Sequence, residues 1–399
     1  MDTNVLDFGA IGDGRTDDTE AIQLALDRVS AAGGGTLLLP PGVYSCNTLH
    51  LRSHVLLHLS EGAVLQSREE AVAYPIIGRT PNLPGKIQAF LWGEKLVDFG
   101  IEGPGSIDGG HPEALSGAEA AAISFRPALV FLRDCQRLHL SGCELRNSAY
   151  WTAHLQRCED VVMQGLTLRS HPHRINADGI DPDGCRRVKI IECDVSTGDD
   201  AIVLKSTEGD LCEDIIVERC VLRSSCAAAK LGTESLGIIR RVVVRNCRLE
   251  SLERGIALHL KDGGAFEDVS FEDCTVLADG RFAILIDASP RHPEHPFPGN
   301  IRRVLLRRLD VRTAGRFLIE SEPPGLIEDL RVEDLSWYAT GPLDPNATKP
   351  AGAARTSVVA KTPAPLARFA ARGVQGLVIT RFEVHGDRSA KELDIVAFP

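Results

Sequence analysis

The sequence predicts a parallel β-helix, a solenoid of short strands stacked coil upon coil. Three observations lead there: a 27-residue repeat, alternating β-branched segments within each repeat, and tight polar corners without helical patterning between them. Cys193, Cys220, Cys247 and Cys274 mark the repeat at intervals of 27 residues, in "IIECDV", "IVERCVL", "VVRNCRL" and "SFEDCTV". Leu166 stands 27 residues before Cys193, Cys143 belongs to the same series, and Leu309 continues it after 35. The extra eight residues match an inserted loop, "RHPEHPFP". A second column lies eight residues earlier and reads Cys135, Cys158, Cys185, Cys212, Ile239, Phe266 and Ile301. A single coil cannot bury its own apolar face, so such columns are expected to stack along a common interior. The cysteines are then small core residues rather than a disulfide framework or a metal centre.

The whole of residues 1–399 is expected to form one such domain, and its parts differ by position. Residues 1–50 read as an N-terminal cap followed by the first rungs. In "TDDTEAIQLALDRVSAAGGG", Ala21, Ile22, Ala25, Leu26 and Val29 fall at helical spacing. Asp17 with Glu20 suits a capping box, and Gly33 to Gly35 end the helix. This amphipathic helix would close the open apolar end of the solenoid. The clear coils run over 130–340. Residues 341–399 read as a long loop, rich in Ala, Pro and Thr up to 364, and then closing strands.

The bulk properties restrict function. At 43% hydrophobic and 25% charged residues, the chain has the composition of a globular protein with a large core. The formal net charge of -11 argues against nucleic acid as a partner, and it requires any anionic polysaccharide to meet a local basic patch. No apolar run is long enough to span a membrane. The start, "MDTNVLDFGAIGDG", carries neither a basic segment nor an apolar signal core, so a cytoplasmic location is expected unless a leader has been removed.

The register also places polar residues side by side. Seven residues past each marker come Tyr150, Asp200, Ala227, Arg254, Arg281 and Arg316. Asp178 joins this column if "HPHRI" is a five-residue bulge, because "DGID" then aligns with "DAIV". Stacked strands lie about 4.8 Å apart. Asp178 and Asp200 are therefore expected as neighbours on one face, with Asp199 beside them and His259 and Lys261 two coils on. Carboxylates crowded in this way raise one another's pKa, which suits chemistry needing one protonated and one ionised acid. Calcium would want six to eight oxygen ligands, and Lys205, Lys230 and Lys261 oppose a cation here. "HPH" at 171–173 and "HPEH" at 292–295 complete no zinc set and read as loops bordering a groove. No metal or cofactor is expected. Trp151 is either a sugar-stacking platform or a packing aromatic at the rim, and His154 shares that ambiguity.

These residues carry a family resemblance. "NSAYWTAHLQRCEDVVMQGLTL", "NADGIDPDGCRRVKIIECDVSTGDDAIVLKS" and "GIALHLK" resemble glycoside hydrolase family 28, the polygalacturonase and pectinase family. The opening "VLDFGAIGDGRTDDTEAIQLAL" looks like the N-terminal segment of the same pectin-degrading superfamily, so the similarity runs over about residues 4–320. The resemblance implies a single-stranded, right-handed parallel β-helix and an inverting hydrolase acting without a metal. It implies Asp199 as general acid, with Asp178 and Asp200 holding and deprotonating the water, and it draws Asn176, in the same Asn-x-Asp motif, into the substrate site. A pectic, galacturonate-containing poly- or oligosaccharide is the substrate it suggests. Exo action is favoured separately, by a start that shows no secretion signal and by end loops such as 291–298 closing one side of the groove. An inverting acid and base need about 6.5–9.5 Å between them.

Two departures from the family pattern bear on the substrate. The Gly-His-Gly motif is replaced by "CAAAKLGTES", which puts Ala227 at the histidine position. The Arg-x-Lys motif reads His259-Leu260-Lys261, which loses a bidentate guanidinium. Lys261 and Lys230, together with Lys205, are the cations expected to hold a carboxylate. A calcium-dependent polysaccharide lyase on the same fold, or a non-catalytic carbohydrate-binding β-helix, are the competing readings.

Overall fold

The computed structural model describes residues 2–68, 74–78, 86–123, 125–291, 299–342, 367–386 and 393–395. Among these described residues, the regular elements apart from two helices and a short 3-10 turn are strands, and every registered pairing between them is parallel. Twelve strands form one sheet, and twenty-four others wrap the remainder of each coil as two successive ribbons. This is the expected β-helix, with the right-handed sense that parallel crossovers favour.

The predicted register holds through the central coils. Glu213 pairs with Arg240, and Val221 with Arg248, each 27 residues on. Thr275 pairs with Asp310, which reproduces the jump of 35. The inserted loop responsible for that jump, and the "HPEH" within it, fall at 292–298, outside the described residues. Cys135, Cys158, Cys185, Cys212, Ile239, Phe266 and Ile301 all lie in one continuous core with Cys143, Leu166, Cys193, Cys220, Cys247, Cys274 and Leu309. Inward strand positions are Val, Ile and Leu because each coil buries them only by stacking on the next.

The N-terminal helix spans Thr19–Ala31 and buries Ile22, Ala25, Leu26 and Val29 in that same core. Its start differs from the expected capping box. The N-cap is Asp18, whose carboxylate instead accepts hydrogen bonds from the Ile11 and Gly12 amides at 2.7 and 3.1 Å. The loop has thus taken Asp18, while Asp17 accepts the amide of Thr19, the first helical residue, at 3.0 Å. Gly33 and Gly34 end it in left-handed conformations, as expected. Strands at Phe369–Arg372 and Val378–Gly386 extend the stack at the far end, while the loop predicted before them lies at 343–366, outside the described residues.

Two local registers depart from the sequence reading. Ala153 pairs with Ile180, which puts Trp151, and not Tyr150, level with Asp178. Arg316 pairs with Phe282, and not Arg281, because the register shifts between Phe282 and Ile284. Counting a fixed seven residues from the marker fails where a corner gains one residue.

Candidate active site

The site lies on the outer face of the twelve-stranded sheet, across the strands Ala153–Gln156, Ile180–Asp183, Ile202–Ser206, Ala227–Ser235, Arg254–Leu260 and Phe282–Ala288. Ile180 pairs with Ile202, which sets Asp178 level with Asp200 on adjoining coils. The bulge at "HPHRI" therefore has the length the register required. Two glycines allow the corner. A Cβ on Gly198 would come within 2.4 Å of the Arg174 and His171 carbonyl oxygens, and one on Gly179 within 2.4 Å of that of Ala201. Both sequence motifs, "ADG" and "TGDD", thus contain a glycine because neighbouring backbone leaves no room for a side chain.

Asp199 is fixed by backbone. Its carboxylate accepts the Asn176 amide at 2.9 Å and the Asp200 amide at 3.0 Å. Thr197 and Ser224 donate to its carbonyl at 2.7 and 2.6 Å. Burial, and then the charge of Asp200, push its pKa up. Asp200 sits in the opposite field. Burial would raise it, but Lys230, Arg254 and Lys205 outweigh that and hold it below the ordinary carboxylate value. Lys230 Nζ donates to Asp200 Oδ2 at 2.7 Å, and the Ala227 amide donates to Oδ1 at 3.1 Å. The pKa values of two adjacent aspartates are thereby pushed apart, Asp199 up and Asp200 down.

Asp178 is buried beside Asp181, which the sequence reading passed over. Burial, Asp181 and Asp199 raise Asp178 well above its usual range, while burial drives Asp181 up to about 8. Neither Asp181 oxygen receives an N–H or O–H from another group among the described residues, except for a proton shared with Asp178. The two titrate as a pair. Lys205 Nζ lies 3.6 Å from each and 3.2 Å from Glu234. The charges of Glu234, Asp178 and Asp181 keep that ammonium protonated despite burial. The signal for Asp181 was present: it faces the same side as Asp183, two residues on in the strand. Glu234 had no such signal, since "LGTES" breaks the register after Leu204.

Several predicted sugar contacts are supports below the surface instead. Trp151 is 1% exposed, stacked on Tyr150 at 4.9 Å, with Lys205 Nζ 4.2 Å from its ring centre. It carries the lysine and offers no open face to a sugar. Lys205 is only 3% exposed and committed to its carboxylates. His154 is buried against Asp183 at 3.2 Å, and burial lowers its pKa. His259 is fully buried 3.7 Å from Asp287, and burial lowers it to about 3. Lys261 pairs with the same Asp287 and donates to Ser289 Oγ at 2.6 Å. His259 and Lys261, which stand at the Arg-x-Lys positions, are thus both turned to Asp287 within the protein. The side-chain oxygen of Asn176 accepts from Arg126 at 3.3 Å, and the backbone amide of Asn176 serves Asp199. Lys230, beside Asp200 and partly exposed, is the predicted cation best placed to meet a ligand.

Donor atoms of Asp199, Asp200 and Cys226 lie within 4.8 Å of one another. Lys230 already occupies the charge position beside Asp200, so a cation would have to displace it. The same closeness corrects the expected 6.5–9.5 Å gap between acid and base, since Asp199 and Asp200 come nearer than that.

Comparison with known proteins shows which family the chain resembles. Residues 78–291 match glycosyl hydrolases family 28, and residues 3–55 match rhamnogalacturonase A/epimerase, pectate lyase-like. The first match spans more than half of the sequence, and the chain belongs to glycosyl hydrolases family 28. It is 28% identical over 296 residues to a probable polygalacturonase of Vitis vinifera, covering 68% of this chain and 60% of the relative. A polygalacturonase of Chamaecyparis obtusa is 27% identical over 275 residues, covering 66% and 51%. The chain thus spans between half and two thirds of the length of these relatives. Among solved structures, an exopolygalacturonase from Thermotoga maritima superposes with a TM-score of 0.70 at 25% identity, covering 85% and 87% of the two chains. A family 28 exopolygalacturonase from Yersinia enterocolitica gives 0.74 at 18%, covering 99% and 77%.

Proposed function

We propose that this protein hydrolyses glycosidic bonds of pectic, galacturonate-containing oligosaccharides. The opposed electrostatics of Asp199 and Asp200 carry the reading. Asp199, whose pKa is raised by burial and by its neighbour's charge, protonates the leaving glycosidic oxygen. Asp200, held ionised by Lys230, takes a proton from the attacking water. Asp178 shares its proton with Asp181 and is therefore assigned to orienting the water rather than to deprotonating it. Lys230 is the cation assigned to a substrate carboxylate, in place of the Lys261 that Asp287 has taken.

Inversion is proposed on the strength of both Asp200 oxygens being engaged by donors, a poor state for a nucleophile. The short Asp199–Asp200 approach would equally suit a retaining pair, so the anomeric outcome is the test. Exo action is proposed from the similarity to the two exopolygalacturonases. Incubation with galacturonate oligomers of defined length tests it: monomer released from one end supports exo action, and a spread of intermediate lengths contradicts it. Products absorbing in the ultraviolet would mark a lyase instead and overturn the hydrolytic reading.

A further inference from the structure

Eleven cysteines are present and all are buried, yet Cys226 alone is missing from the continuous apolar core that holds the other ten. It lies one residue before Ala227, against the acids, and its sulfur is within 4.8 Å of donor atoms of both Asp199 and Asp200. Its backbone is tied to the acid's coil. The Cys226 amide donates to Ser224 Oγ at 2.8 Å, and that hydroxyl donates to the Asp199 carbonyl at 2.6 Å. From the next coil, Ser251 Oγ donates to the Cys226 carbonyl at 2.8 Å. Arg254 Nη2 donates to the sulfur at 2.9 Å and is itself anchored on Glu253 at 2.9 Å. With Arg254 donating to the sulfur, the S–H itself is left to donate, and the carboxylates of Asp199 and Asp200 are acceptors beside it.

We propose that Cys226 is a positioning residue for the acid: its thiol donates a hydrogen bond to the Asp199 carboxyl and steadies the carboxylate formed as the proton leaves. This rests on Asp199 being the acid. The Asp199 proton goes to the glycosidic oxygen, one water proton goes to Asp200, and both aspartates reset by exchange with solvent. The thiol keeps its own proton throughout. Burial and the charge of Asp200 hold it protonated across the working range. The groups facing Asp199 are Asp200, Lys230, Asp178, Arg126 and the thiol, and those facing the thiol are the two acids, Arg254 and Glu253. Of these the thiol is the neutral donor, so its removal changes the hydrogen bonding without changing the charge.

The test is the pH profile of kcat/KM for Cys226→Ala and Cys226→Ser, beside Cys247→Ala, which removes a thiol from the core column. Loss of the donor weakens the ionised form of Asp199, so its pKa rises and the alkaline limb moves up. Cys226→Ala is expected to shift that limb by about half to one pH unit. Cys226→Ser, whose hydroxyl also donates, restores the wild-type limb, and Cys247→Ala leaves it in place. An unmoved limb in Cys226→Ala, or a shift of equal size in the serine variant, overturns the proposal. Should the alanine variant not fold, infrared spectroscopy of the wild-type protein decides. The Cys226 S–H band, identified by its loss in the serine variant, must move as Asp199 ionises, and an insensitive band refutes the hydrogen bond. Asp199→Asn separates the two readings: if it remains active, the acid assignment fails whatever the cysteine variants do.

Discussion

At the scale of single residues, environment decides what each aspartate does, because all are chemically alike. Lys230→Met removes the ammonium 2.7 Å from Asp200. Asp200 has a depressed pKa and must be ionised to act, so the substitution raises that pKa. The acidic limb of kcat/KM is then expected to move to higher pH by about one unit, and an unchanged limb would place the base elsewhere. Asp181 gives the opposite sign. Its pKa is raised, so its contribution to stability is complete below the ordinary aspartate value and is lost as pH climbs to about 8. Asp181→Asn should therefore flatten the fall of Tm between about pH 4 and pH 8, as read by thermal unfolding. Lys205 bridges Asp178, Asp181 and Glu234. Its replacement by Met strands buried carboxylates and is expected to cost about 3–5 kcal/mol in denaturant unfolding. The "ADGID" and "GDD" motifs announced Asp178, Asp199 and Asp200 because a constant repeat converts spacing into adjacency. Glu234, Cys226 and the partners of His259 were not visible in that way. Their roles depend on side chains reaching across coils, which no repeat length encodes.

At the scale of the coil, inward apolar positions and outward ion pairs do unequal work. Leu222 is fully buried in the continuous core. Leu222→Ala should cost about 2–5 kcal/mol by the urea midpoint, since neighbouring coils cannot collapse into the gap. The corners carry alternating charges that pair between coils, such as Arg187 with Asp160, Arg241 with Asp214 and Arg303 with Asp268. These residues are half exposed and screened by solvent, so Arg241→Ala is expected to move the urea midpoint only slightly, and less in high salt. A larger loss would mean that the charges act as one connected ladder. The cysteine markers and the 27-residue period made the coils readable from sequence. The helix cap was misplaced by one residue because Asp17 and Asp18 compete for the same turn, and only the loop at Ile11 and Gly12 settles which one caps.

At the scale of the molecule, the solenoid supplies a straight face on which coils 4.8 Å apart present one side chain each toward a groove. An overall charge of -11 opposes an anionic chain, while Lys230 offers local attraction. The central claim is that Asp199 and Asp200 act as acid and base in hydrolysis. Proton NMR of a galacturonate oligomer during digestion, run with wild type and Asp199→Asn, addresses it most directly. The expected result is hydrolysis with inverted anomeric configuration by the wild type, and a rate about a thousandfold lower for the folded variant. Retained configuration, or an Asp199→Asn variant working at the wild-type rate, would contradict it.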